Sequence, residues 1–133
     1  MSENRFKKWV YPKFDKKNMT KYNWMCQHSE KLELGDFTDI GAFTYINAKY
    51  GVIIEKNVQI GSHCSIYSRS TIDDKKGKII IKENARIGTH STIMPDVTIG
   101  KNSIIGAYSF VNKNIPDNTI AYGVPVKIKR KKK

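Results

Sequence analysis

Aliphatic residues recur every six positions along most of this chain, a spacing that neither an α-helix nor a β-hairpin produces. The series runs Leu34, Ile40, Ile46, then Ile54, Ile60, Ile66, Ile72, then Ile81, Ile87, Ile93, Ile99, Ile105 and Val111, thirteen hexads in three phases. A second register accompanies the first. Four residues after these positions come Thr38, Thr44, Val58, Cys64, Ser70, Ala85, Ser91, Val97, Ser103 and Ser109, all small, and the three departures (Tyr50, Lys76, Ile115) fall at the phase breaks and at the end. Glycine directly follows the aliphatic residue at Gly35, Gly41, Gly61, Gly88, Gly100 and Gly106, where a tight corner between short strands favours a residue without Cβ.

Two side-chain sizes at period six predict a coil of three short strands per turn. The large aliphatic residue of each face fills the axis, and the small residue lets the next coil approach. At three hexads per coil the array amounts to about four coils, with strands of successive coils stacked in parallel at about 4.8 Å. A β-sandwich would alternate with period two and turn every 8 to 12 residues or so, and it does not account for the row of small residues. The expected organisation is a cap segment at 1–31, the coiled array at 32–115, and a terminal segment at 116–133. The cap interleaves Phe6, Trp9, Tyr11, Phe14, Tyr22 and Trp24 with lysines, and Met19 to Ser29 can form one short helix. Pro116 and Pro125 break the pattern, Lys127 to Lys133 is almost wholly basic, and the last few residues read as disordered.

Composition narrows the partners. Lys plus Arg number 24 against 12 for Asp plus Glu, a formal charge of +12, which favours anionic ligands such as phosphates, nucleic acid or a membrane surface. The basic residues are spread along the chain without a nucleic-acid-binding motif, so no nucleic acid is expected, although a non-enzymatic polyanion-binding coil stands as the alternative. Cys26 and Cys64 have no CxxC spacing and read as reduced thiols. Met1 to Lys8 is polar with no apolar run behind it, and no stretch reaches the roughly 18 apolar residues of a membrane span, so the expected location is the cytoplasm.

The stretch from Ile87 to Arg130, IGTHSTIMPDVTIGKNSIIGAYSFVNKNIPDNTIAYGVPVKIKR, resembles the hexapeptide-repeat acyltransferases. It is most similar to the sugar O- and N-acetyltransferase branch, which includes the maltose and galactoside acetyltransferases. The repeat resemblance covers about 34 to 115, and its most specific part is Ile-Pro followed by Gly-Val-Pro and a basic tail. The resemblance implies an all-β left-handed parallel β-helix and a homotrimer with acetyl-CoA in the groove between adjacent prisms. It also implies transfer to a hydroxyl or amine of a sugar or nucleotide sugar, in the synthesis of surface glycans such as lipopolysaccharide. By the same pattern Thr89 and Ala107 line the pantetheine path, Asn112 and Lys113 follow it, and Lys127 with Arg130 meet the nucleotide phosphates. A solvated basic tail is the competing account of those two cations. Tyr108 stands where the family commonly has glycine, and its ring either narrows the channel, stacks on the cofactor or points outward.

Acyl transfer needs a base for the attacking hydroxyl or amine and donors for the oxyanion. In the maltose and galactoside branch the base is a histidine on a loop interrupting the repeats, partnered by an aspartate. Here Thr71 falls at the histidine position, and Ala48, with Asn47 beside it, at the aspartate position, so that pair does not carry over. Three histidines remain. His63 and His90 share one point of the hexad, three after the aliphatic residue, where side chains face outward. His63, on the coil before the interruption and close in sequence to the family's acceptor site, is the first candidate for the base. His90 is the second and His28 the third; an unaided amine is the fourth possibility. Asn47, Thr71, Asp73 and Asp74 are candidate acceptor contacts, although two acids in a Lys-rich loop also serve solubility. The γ-class carbonic anhydrases share the fold, but their zinc needs three histidines with two closely spaced; His63 and His90 are 27 apart, so no metal site is read.

Overall fold

A computed structural model of the chain describes residues 6–132. Short strands wind into a prism whose three faces are three parallel sheets. The first face stacks Met25–Gln27, Tyr45–Asn47, Ser65–Tyr67, Thr92–Ile93 and Phe110–Val111. The second stacks Leu32–Leu34, Val52–Ile54, Ile79–Ile81 and Thr98–Ile99, extended by a bridge from Ile99 to Ile115. The third stacks Asp39–Ile40, Gln59–Ile60, Arg86–Ile87, Ile104–Ile105 and Thr119–Tyr122. The fold is the left-handed β-helix that the repeat predicts.

The prism has five rungs where the hexad count gave about four. One strand of the first rung, Met25–Gln27, comes from the segment expected to be cap, because Cys26 supplies an inward residue in register with Ile46. The last rung adds Thr119–Tyr122, where Ala121 takes the inward place opposite Ile105. The register explains the buried ladder: Ile46, Ile66, Ile93 and Val111 succeed one another on the first face, and Ile40, Ile60, Ile87 and Ile105 on the third. Ile60, Ile87 and Ile99 all belong to the one apolar core. The eight-residue step from Ile46 to Ile54 reflects a longer strand on the second face, where Val52 and Ile54 both point inward, as do Ile79 and Ile81.

Three local expectations are corrected. Ile72 is not a core residue; it is 99% exposed, in the turn of a two-stranded antiparallel hairpin in which Arg69–Ser70 pairs with Lys75–Lys76. Ser70 therefore leaves the small-residue row, and Ser68, fully buried and donating to the Asn47 carbonyl at 2.7 Å, closes the prism in its place. Met19 to Ser29 is not a helix, because Met19 bridges Met25 and the chain then enters the first strand. Lys127–Lys131 forms a strand antiparallel to Thr119–Tyr122, since that edge of the third sheet offers unpaired backbone groups. Lys133 lies outside the described residues. Among those described, no helix is long and apolar enough to cross a membrane.

The small residues are buried for a polar reason as well as a steric one. Ser103 donates to the Pro116 carbonyl at 2.6 Å and accepts from Thr119 N at 3.1 Å, Thr44 and Ser91 tie rungs in the same way, and Ser109 accepts from Gly123 N while donating to the Gly106 carbonyl of its own turn. The glycines serve close approach between coils. A Cβ at Gly88 would lie 2.5 Å from Ala107 N, and one at Gly61 2.7 Å from Thr89 N. Positive φ belongs instead to the residue two positions later in each turn.

Candidate active site

At the corner between the second and third faces those positive-φ positions are mostly asparagine: Asn57, Asn84, Asn102 and Asn118 follow Phe37. Asparagine is among the non-glycine residues that visit this conformation most readily. At the corner between the third and first faces the equivalent residues are Phe43, His63, His90 and Tyr108, with φ of 66°, 58°, 60° and 61°. Four ring-bearing side chains therefore occupy, in successive rungs, a strained backbone position that recurs at the turns of the coil.

Parallel stacking turns that strain into a ladder of rings. His63 and His90 lie face to face, with centroids 4.7 Å apart and planes within 2°, and His90 and Tyr108 stack at 4.8 Å and 9°. Phe43 tilts against His63 at 5.2 Å. Phe43 and Tyr108 are 63% and 64% exposed, so the ladder stands on the surface. Tyr108 covers the face of His90 opposite His63. His90 Nδ1 is 2.8 Å from Thr89 Oγ1, which is itself 2.8 Å from the Ser62 carbonyl and 3.2 Å from Ser62 Oγ.

A concavity lies on each side of this corner. On the third face a shallow groove of about 450 Å³ runs over Gly61, Gly88 and Gly106, walled by Gln59, Arg86 and Ala107. Lys127 and Arg130 sit on the last strand of the same sheet, beyond Thr119–Tyr122. On the first face a hollow of about 600 Å³ opens under the hairpin, lined by Tyr45, Asn47, Tyr67, Thr71, Asp73 and Phe110 among others. Arg69 also lines it, and the Tyr45 and Tyr67 rings meet at 5.6 Å.

The structure thus brings His63, His90, Thr89 and Tyr108 together at one corner, with Ala107 at the groove beside it. Asn47, Thr71 and Asp73 share the hollow, whereas Asp74 occupies the hairpin turn with φ 53° and does not line it. Asn112 and Lys113 are exposed after Phe110–Val111, at the far edge of the first face from the groove of their own chain. His28 lies at another corner, 3.9 Å from Glu30. Asp73 is held below the usual carboxylate range by a hydrogen bond from Ser70, helped by Lys75 at 3.6 Å. Cys64 is buried and donates to the Gly88 carbonyl at 3.3 Å, and burial pushes its thiol pKa up, so it has the character of a packing residue. The spacing of hexads marked His63 and His90 as outward but gave no sign of the ring stack. The signal was present in the comparison of corners, one with asparagine and one with aromatic rings. The paired tyrosines of the hollow had no comparable sequence signal, because any outward strand position tolerates them.

A five-rung parallel prism with an outward aromatic corner between two surface concavities defines the class: a left-handed β-helix protein with two stacked histidines at a prism edge. Residues 78–113 match the six-repeat pattern of the bacterial transferase hexapeptide family. The galactoside O-acetyltransferase of Lactococcus lactis is 35% identical over 112 residues, covering 73% of this chain and 54% of that enzyme. A hexapeptide-repeat acetyltransferase from Vibrio cholerae, solved with acetyl coenzyme A, superposes with a TM-score of 0.78 at 28% identity, over 83% of this chain and 65% of that one. A maltose O-acetyltransferase from Clostridium difficile gives a TM-score of 0.73 at 26% identity, over 84% and 64%. The chain spans about half the length of the Lactococcus relative and less of the others among the curated proteins.

Proposed function

We propose that this protein is an acetyl-CoA-dependent acetyltransferase acting on a hydroxyl or amine of a sugar or nucleotide sugar, assembled as a homotrimer and serving surface glycan synthesis in the cytoplasm. The observation that carries the reading is the pair of stacked imidazoles, held in a costly backbone conformation between two concavities. One concavity suits an extended acyl carrier and the other a ring-shaped acceptor. The groove ends on the sheet edge that bears Lys127 and Arg130, where charge-assisted bonds to nucleotide phosphates are available. The hollow offers the tyrosine pair and Phe110 for the apolar face of a pyranose, with Asn47, Thr71, Arg69 and Asp73 for its hydroxyls. Exposed Phe43 and Tyr108 make the corner a surface for a second copy to cover, which favours a closed three-fold assembly with the site between chains. Asn112 and Lys113, remote from the groove of their own chain, then serve a neighbour's.

In transfer, an imidazole of the pair removes the proton from the acceptor as its oxygen or nitrogen attacks the acetyl carbonyl. The test is thiol release from acetyl-CoA against a panel of neutral and amino sugars, free and nucleotide-linked. One acceptor should give saturable turnover, and replacing Lys127 and Arg130 with Gln should raise KM for acetyl-CoA with little effect on kcat. Acceptor-independent thiol release alone, or none, would rule the reading out.

A further inference from the structure

Resting on the acyl-transfer reading, the geometry assigns the general base to His90 Nε2, with Thr89 as its positioning residue, and not to His63. The assignment follows from counting protons at one oxygen. Thr89 Oγ1 has three partners: the Ser62 carbonyl at 2.8 Å, His90 Nδ1 at 2.8 Å and Ser62 Oγ at 3.2 Å. A hydroxyl has one proton to give and two lone pairs to receive. The carbonyl can only accept, so the threonine proton goes to it. Both remaining partners must then donate, and His90 Nδ1 carries a hydrogen. In the neutral ring the other nitrogen, Nε2, is left with its lone pair free.

The rest of the ring is equally constrained. His63 covers one face of His90 and Tyr108 the other, so the imidazole has no freedom to tip, and the bond to Thr89 prevents rotation in its own plane. His63 is stacked on one face by His90 and met at a tilt by Phe43, and among the described residues no hydrogen bond to either of its nitrogens chooses its tautomer. Position in sequence pointed to His63; orientation of the nitrogens points to His90. In the reaction His90 Nε2 takes the proton of the acceptor hydroxyl or amine while the acceptor atom bonds to the acetyl carbon. The tetrahedral intermediate then collapses with cleavage of the carbon–sulfur bond, and the Nε2 proton passes to the departing thiolate. Coenzyme A leaves as the thiol and His90 returns to its starting form, with Nδ1–H bonded to Thr89 throughout.

The experiment pairs a spectrum that needs no substrate with kinetics that do. In protein labelled with ¹⁵N-histidine at a pH where the ring is neutral, His90 should show a protonated Nδ1 and an unprotonated Nε2. Thr89→Ser should preserve that pattern, and Thr89→Val should shift His90 toward the Nε2–H form. In the thiol-release assay His90→Gln should lower kcat about 100-fold or more, with a loss at least tenfold smaller for His63→Gln. Thr89→Val should lower kcat about tenfold at unchanged KM for the acceptor, and Thr89→Ser should rescue it, with folding of each variant checked by its amide spectrum. An Nε2–H tautomer at His90 in the parent protein, or a larger loss from His63→Gln, would overturn the assignment. If no acceptor is turned over at all, the transferase reading fails, while the nitrogen spectrum still decides whether Thr89 sets the tautomer.

Discussion

Replacing Gly88 with Ala probes the coil-to-coil contact beneath the histidine corner. The added Cβ would lie 2.5 Å from Ala107 N, 2.8 Å from Ala107 Cα and 3.0 Å from the Gly106 carbonyl carbon, all backbone atoms of the next rung. Relief requires that rung to move by about 1 Å, because non-bonded contacts to carbon settle near 3.5 Å. The displacement pulls on Gly88 N to Ile105 O at 2.8 Å and Tyr108 N to Thr89 O at 2.9 Å. Overpacking costs roughly 1–3 kcal/mol and each weakened hydrogen bond about 1 kcal/mol, so the expected loss is at least about 3 kcal/mol. At about 2.1 cal/mol/K per residue for unfolding entropy, that loss lowers Tm by about 10 °C. Circular dichroism melting at one fixed protein concentration measures it. Gly100→Ala is the control: its Cβ would meet Asp117 N at 2.4 Å, so it should destabilise comparably while leaving His63, His90 and Tyr108 in place. A Gly88→Ala protein melting within 2 °C or so of the parent would refute the contact argument.

Other outcomes follow from the same geometry. Ile72→Asp should change stability by less than about 0.5 kcal/mol, whereas Ile93→Ala, at a fully buried rung position, should cost about 2–5 kcal/mol in urea unfolding. Burial pushes the Cys26 thiol up to about 12 and raises that of Cys64, so native protein at pH 8 should resist iodoacetamide at both sites and react only once unfolded. Because the folded-state value of Cys26 lies above its ordinary 9.0, its contribution to stability is intact below pH 9 and is lost as pH rises toward 12. Cys26→Ala should flatten that alkaline decline relative to the parent, which parallel urea titrations would reveal.

The repeat made the prism legible because each hexad states its own inward residue, and contacts in such a coil are to neighbouring rungs. What it hid were the places where the winding departs from six. Ile72 keeps the spacing yet sits in the turn of a hairpin, because the chain leaves the prism after Ser68 and a period cannot register that exit. Cys26 and Ala121 extend the core by one strand at each end although neither matches the aliphatic pattern. At the site, residue type and hexad position were enough to select His63 and His90, but not to choose between them. The choice depends on one threonine hydroxyl and its three partners, which only the packed corner brings together.

The claim on which everything functional depends is that coenzyme A lies along the third face beside the aromatic corner. Titrating coenzyme A into ¹⁵N-labelled protein tests it directly, with the backbone amides as reporters. The largest shift changes should fall on Gly61, Gly88, Gly106, Ala107 and Tyr108, with smaller ones at Lys127 and Arg130. Changes confined to Lys127–Lys132, the mark of a phosphate group on a basic strand and nothing more, would contradict it.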